Sequence, residues 1–396
     1  MRSASLLLYV IFVHVRFAWS WSCESSGTEL QLFGLPKGAG AVCNDGTPAQ
    51  YYFAPSTSTS SSKSSSDTTL IYLSGGGQCS DETSCASRYD GSAYPYHDCD
   101  SSNATSPCFM SSKDNPDVCL KGGIFSELVK TANVVYVPYC SSDGWMGDGE
   151  FGNFEFRGAS IAMAVVDAVV EAVPNTKTVI FGGGSAGGRG SSVLLDSVSE
   201  RLKDNGVKRV LGFLDSPYYV EEDPMGDFEG FQQQTIDVYN NFISGSDLEE
   251  MIIGSACGDA YPNEEWKCLF GQYRFPFIET QHLLVADQFD GWQLSHNIHD
   301  YDGIEVNPVY TDEELVNIEE FAGKQHALLA TLKEGSVYAT ACYSHHISEG
   351  DGFVDYKNNR GISQSDALKM LIEGKGVEMV EGLDEIPDEF VCCCGD

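Results

Sequence analysis

The stretch "VIFGGGSAGGRGSSVLLD", residues 179–196, sets Ser185 among glycines between two apolar runs. It admits three readings: a phosphate-binding loop, a flexible turn or a nucleophile. A nucleoside-triphosphate loop needs a lysine after its glycines, and none follows here. Gly182, Gly184 and Gly187 satisfy the GxGxxG spacing of a dinucleotide site, but only Asp204 stands near the expected acidic position. Gly183-Gly184-Ser185-Ala186-Gly187 reads as GxSxG, entered from the strand-like run "TKTVIFGGG" and left through the amphipathic run "GRGSSVLLDSVSERLKD". A nucleophile elbow requires that strand-to-helix setting. Glycines make the tight turn sterically feasible, and the following helix aims the Ala186 amide at a developing oxyanion. The nucleophile reading is favoured.

The same alternation extends outward. "TTLIYLSGGG", "TANVVYVPYC", "VKRVLGFLDSP" and "QHLLVADQFD" read as buried strands. Residues 158–173, GASIAMAVVDAVVEAV, read as a buried helix closed by Pro174, and the amphipathic helix after Ser185 ends at Asn205-Gly206. Strands alternating with helices predict an α/β fold with a mostly parallel central sheet and helices on both faces. In such sheets chemistry gathers beyond the carboxyl ends of the strands, where the turns after Leu73 and Phe181 fall. The Ser-rich run 56–67 reads as a loop between the strand-like "AQYYFAP" and "TTLIYLS", and the acidic 300–335 region reads as helical cover.

The chain has 396 residues, 42% of them hydrophobic, which suffices for a sizeable core. Its formal net charge of −35, without any basic cluster, argues against nucleic acid as a partner. Residues 1–20, MRSASLLLYVIFVHVRFAWS, combine Arg2, an apolar run from Leu6 to Val13 and small residues at 18–20. That run is too short to span a bilayer and reads as a cleaved signal peptide, leaving one catalytic domain over 21–396 and no integral membrane span. Fourteen cysteines suit an exported, oxidised protein, and the Cys79/Cys85 and Cys257/Cys268 spacings lack the close CxxC pairs of zinc sites. Asn103-Ala104-Thr105 is a glycosylation acceptor. No metal or organic cofactor is expected.

A serine nucleophile needs a base, an orienting acid and a second oxyanion donor. "SGGGQC", residues 74–79, resembles a hydrolase oxyanion loop and offers the Gly76 and Gly77 amides. Downstream of Ser185 lie His282, His296, His299, His326, His345 and His346, with Asp287 and Asp290 at the end of a strand. Order narrows the list without choosing among them.

Taken together, "LIYLSGGGQCSDETSCASR", "NVVYVPYCSSDGWMGD", "FGGGSAGGRG", "FLDSPYY", "FDGWQL" and "CYSHHI" resemble, in order, segments of the pectin acetylesterase and Notum family of serine carboxylesterases. The resemblance spans roughly residues 70 to 350 and implies an α/β-hydrolase-like fold. It further implies Ser185 as nucleophile, Asp290 as acid, His345 as base, and an oxyanion hole of the Gly76, Gly77 and Ala186 amides. Similar pairing implies disulfides Cys43–Cys140, Cys79–Cys85 and Cys257–Cys268. Two departures stand out: Gln78 replaces an aromatic common in the family beside the oxyanion glycines, and the end of the chain carries "CCC". The implied activity is hydrolysis of an O-acyl ester by a secreted enzyme, with an acetylated cell-wall polysaccharide such as pectin as the expected substrate. The alternatives are a lipid-acylated secreted protein as substrate, or a secreted binding protein that has lost catalysis.

Overall fold

The computed structural model describes residues 28–383, apart from 37, 39, 58–66, 93–107, 114, 116–117, 121, 302 and 333–335. The expected signal peptide at 1–20, Asn103, Cys23, Cys99 and Cys392–Cys394 lie outside the described residues. Twelve strands are present among the described residues: β1 Thr28–Gly34, β2 Gln50–Ala54, β3 Thr68–Leu73, β4 Val118–Leu120, β5 Asn133–Val137, β6 Gly149–Phe151, β7 Phe154–Phe156, β8 Thr178–Gly184, β9 Arg209–Asp215, β10 His282–Asp290, β11 Ser336–Ser344 and β12 Glu378–Val380. Ten form one sheet in the order β12-β11-β10-β9-β8-β3-β5-β2-β1-β4, and β6 and β7 form a separate hairpin.

The strands from β12 through β5 run parallel, while β2, β1 and β4 join antiparallel at one edge. The sheet is therefore mostly parallel, as the β–α alternation predicts. β2 and β3, which flank the Ser-rich run, belong to this one sheet with β5 between them.

Two cores cover the two faces of the sheet. Alternate residues of one strand serve opposite sides: Ile71 and Leu73 join one cluster, Leu70 and Tyr72 the other. The first cluster packs under helices Gly158–Ala172, Ala186–Asp204 and Asp312–Leu329. The second packs under Gly123–Leu128 and Gln364–Ile372. Each fully buried Val, Leu or Ile here contributes about 1.5–3 kcal/mol from removal of apolar surface. Helix Gly158–Ala172 buries Ala159, Ile161, Ala162, Val165, Val166 and Val169, the spacing of a helix face, and stops before Pro174.

The glycines around Ser185 set how closely the elements meet. A Cβ at Gly182 would stand 1.9 Å from the Phe213 carbonyl oxygen on β9, and one at Gly187 would stand 1.9 Å from that of Leu73 on β3. Helix Ala186–Asp204 thus lies directly against the sheet, with Ser185 at its amino end.

Gly182→Ala is expected to destabilise the protein by at least about 1–3 kcal/mol through overpacking against backbone. By contrast, Gly323 sits mid-helix with open space around its Cβ position. Gly323→Ala is expected to stabilise by about 0.5–1 kcal/mol. Denaturant midpoints at unchanged slope check both.

Candidate active site

Strand β8 ends at Gly184, helix Ala186–Asp204 begins one residue later, and Ser185 turns the chain with φ 53° and ψ −121°. That backbone lies in the left-handed half of conformational space, unusual for a residue with a side chain. The Ser185 amide is held by the Asp215 carbonyl at 2.9 Å, and its own carbonyl accepts the Arg189 amide at 2.9 Å. The Ser185 hydroxyl is thereby presented at the carboxyl edge of the sheet, and the residue is 4% exposed.

The partners arrive from β10 and β11, which lie side by side with Asp290 in register with Ser344. The pairing shifts between Asp287 and Phe289, where β11 carries one residue more than β10. A bulge of this kind re-aims the residues that follow it. His345 then sits with Nδ1 2.7 Å from Asp290 Oδ2 and Nε2 2.8 Å from Ser185 Oγ. The other Asp290 oxygen accepts the Gln293 amide at 2.9 Å, capping helix Gly291–His299 and fixing the carboxylate plane.

The resemblance favours Asp290 over Asp287, and the geometry separates them. Asp287 is buried and accepts the hydroxyls of Thr340 and Ser344 rather than the His345 ring. Burial pushes its pKa up to about 7, against the lowering effect of those hydroxyls. Among the remaining histidines, His282 pairs with the Thr280 carbonyl, His326 with Gln288 and His299 with Glu305, while His296 stacks on Trp292.

Burial tends to lower the pKa of His345, but attraction to Asp290, Asp215 and Asp287 outweighs it and the net shift is upward. His346 differs: burial, reinforced by repulsion from His345, pushes it down to about 3. The two adjacent histidines are thus driven apart, and only His345 faces the serine.

The turn carrying Gly76 and Gly77 lies against the elbow, since a Cβ at Gly75 would stand 3.0 Å from the Ser185 Cβ. Buried Arg88 donates to the Gly76 carbonyl and to Ser142 Oγ, its guanidinium lying 4.8 Å over the Phe109 ring. Pulling that carbonyl toward Arg88 fixes the peptide orientation that follows it. The Ala186 amide belongs to the first helical turn and has no intrahelical acceptor. Disulfides Cys79–Cys85 and Cys43–Cys140 brace this turn and its neighbour, and Cys257–Cys268 pins the region after helix Ser255–Ala260. All three match the expected pairs. Cys108, Cys119 and Cys342 are disulfide-bonded as well.

Several contributors carried no role from sequence. Asp143, within "PYCSSDGW", accepts Ser141 Oγ at 2.7 Å and the amides of Trp145, Gly147 and Gly158, tying the segment after β5 to helix Gly158–Ala172. Burial raises it to about 6. The Tyr219 and Trp292 rings each lie 6.4 Å from the His345 ring. Asp215 and Tyr219 fall in "FLDSPYY" and Trp292 in "FDGWQL", so the recurrence of those segments was their only signal. Among the described residues no cluster of His, Cys, Asp and Glu could hold a metal ion, and no helix is long and apolar enough to cross a membrane.

Residues 23–371 match the pectinacetylesterase family model. A zebrafish palmitoleoyl-protein carboxylesterase, notum1a, is 31% identical over 277 residues, covering 65% of this chain and 50% of that protein. The human palmitoleoyl-protein carboxylesterase NOTUM is 29% identical over 341 residues, covering 82% and 63%. The chain thus spans half to somewhat under two-thirds of the length of these relatives. The crystal structure of the Wnt deacylase Notum from Drosophila superposes with a TM-score of 0.75 at 22% identity, covering 92% of this chain and 100% of that one. That likeness establishes the α/β-hydrolase-like fold, and the match over nearly the whole described sequence shows that this chain belongs to the pectinacetylesterase family.

Proposed function

We propose that this protein is a serine carboxylesterase that hydrolyses an O-acyl ester through an acyl-enzyme. The observation that carries the reading is the unbroken line from Asp290 Oδ2 through the His345 ring to Ser185 Oγ, at 2.7 and 2.8 Å. His345 takes the Ser185 proton as Oγ attacks the ester carbonyl, while Asp290 holds the imidazole tautomer and stabilises the imidazolium. The Gly76, Gly77 and Ala186 amides bind the oxyanion, each worth about 2.7–4 kcal/mol if removed. His345 returns its proton to the departing alcohol, then activates the water that releases the acid.

The substrate we propose is an acylated extracellular polysaccharide, with pectin-type acetyl esters as the model. The family match supports this assignment. A second reading, removal of a lipid acyl group from a secreted protein, draws on the palmitoleoyl-protein carboxylesterases among the relatives. Either substrate is met outside the cell, consistent with the leader-like first twenty residues and the disulfides. A binding protein that has lost catalysis has no need of an aligned histidine relay, so we set that reading aside.

Ser185→Ala is expected to abolish turnover and labelling by a fluorophosphonate probe while leaving the unfolding midpoint near wild type. Full activity in that variant would overturn the assignment. Asp290→Asn is expected to lower kcat by about 10⁴-fold, measured with p-nitrophenyl acetate.

The pH dependence follows from His345. The base must be neutral, and its pKa lies above the ordinary 6.5, so kcat/KM is expected to fall on acidification with a midpoint above that value. Asp215 helps raise that pKa. Asp215→Asn is therefore expected to move the acid limb of the pH–rate profile to lower pH, and an unmoved limb would contradict this electrostatic account.

A further inference from the structure

One turn beyond Ser185, on the same helix, Arg189 points its guanidinium into the protein and is 3% exposed. Among the described residues no carboxylate pairs with it. Its Nη1 donates to Gln78 Oε1 at 2.6 Å, and Nη2 lies 3.4 Å from the Leu269 carbonyl and 3.5 Å from Thr235 Oγ1. Its Nε and the Gln78 Nε2 are buried without partners. The guanidinium lies 4.9 Å over the Tyr219 ring and 4.6 Å over that of Phe231.

These contacts locate the charge. Gln78 directly follows the Gly76–Gly77 turn, and the Tyr219 ring lies 6.4 Å from that of His345. Arg189 therefore bridges the turn on one side of the serine and the aromatic cluster of Tyr219, Phe231 and Phe270 on the other. It lies four positions along the helix from Ser185, about 6 Å along the axis. An acyl chain that leaves Ser185 on this side, with its carbonyl oxygen facing the Gly76, Gly77 and Ala186 amides, would run toward Arg189.

We propose that Arg189, clamped by Gln78, is the specificity-determining residue of this site, admitting acyl groups of acetyl size and rejecting alkyl chains of octanoyl length or longer. The proposal rests on Ser185 being the residue that is acylated. Its physical basis is desolvation. A long alkyl chain directed there must either lie against a charged group already cut off from water or push it from its few hydrogen bonds, and both cost free energy. A short acyl group reaches neither. Without Arg189 the same walls are largely aromatic and would reward each added methylene.

The test compares kcat/KM for p-nitrophenyl acetate, butyrate and octanoate in wild type, Arg189→Leu and Gln78→Ala. All three proteins are first labelled with a fluorophosphonate probe. In wild type the octanoate value is expected to fall below the acetate value by about tenfold or more. Arg189→Leu is expected to raise the octanoate-to-acetate ratio by about tenfold, and Gln78→Ala to raise it by less, because the freed guanidinium can swing aside. If Arg189→Leu does not fold, the wild-type profile and Gln78→Ala decide the matter. A purely structural role for Arg189 would lower all three esters together and leave the ratio fixed. A flat wild-type profile, or a fixed ratio in a variant that still labels, overturns the proposal while sparing the esterase reading. Absence of labelling in wild type overturns the esterase reading itself.

Discussion

The site depends on how the chain around Asp215 is held. Ser185, Ser216 and His346 each have positive φ without being glycine. Such conformations cost about 1–3 kcal/mol each and persist only where surrounding contacts over-determine them. Asp215 and Ser216 supply those contacts. The Asp215 carbonyl accepts the Ser185 amide at 2.9 Å, its carboxylate accepts the Ser348 amide at 3.0 Å, and Ser216 Oγ accepts the His346 amide at 2.9 Å. The end of β9 thus fastens the serine turn on one side and the histidine loop on the other. Ser348 is held again from the second core by Tyr72, whose hydroxyl lies 2.9 Å from its own. The distance between Ser185 and His345 is consequently a property of the sheet rather than of two mobile loops.

Charge is arranged around the same junction. Asp215, Asp287 and Asp290 are all buried near His345, and Glu349 lies beyond Asp215. Burial raises Asp215, and it raises Glu349 to about 7 with the help of Asp215's charge. Hydrogen bonds absorb part of that cost: the Ser216 hydroxyl and the Ser348 amide serve Asp215, while the Thr340 and Ser344 hydroxyls serve Asp287. Asp290 alone is left aimed at the imidazole. Around the serine the opposite sign appears, in a guanidinium balanced by aromatic faces and carbonyls rather than by carboxylate. Buried carboxylates thus stand behind the base, and a buried guanidinium lies one helical turn past the nucleophile.

Much of this was legible from pattern. Strands β3, β5, β8, β9 and β10 are short runs of apolar and β-branched residues bounded by Gly, Pro or Asp, because a sheet covered on both faces demands continuous apolar strands. Helix Gly158–Ala172 was legible for the complementary reason, its apolar residues recurring at helical spacing up to Pro174. Less visible were β1, β4, β12 and the hairpin of β6 and β7. These are edge or short elements, held by pairing and loop contacts that leave little periodicity behind.

The sequence by itself determined the strand-to-helix elbow at Ser185, because the tight turn and close helix–sheet approach restrict which residues can flank the serine. With the resemblance, it also named Asp290 and His345. Only the tertiary structure decided what those side chains touch. Asp287 and Asp290 are three positions apart on one strand, and the register shift against β11 sends one to two hydroxyls and the other to the imidazole. His345 and His346 are neighbours in the chain, yet one is raised by carboxylates and the other lowered by burial. Arg189 reads in sequence as one more helix residue. Its proximity to Gln78, 111 positions away, exists only because the helix is laid across the sheet at the glycines. Local pattern governs how the backbone turns, whereas charge balance and contact depend on residues that folding brings together from distant parts of the chain.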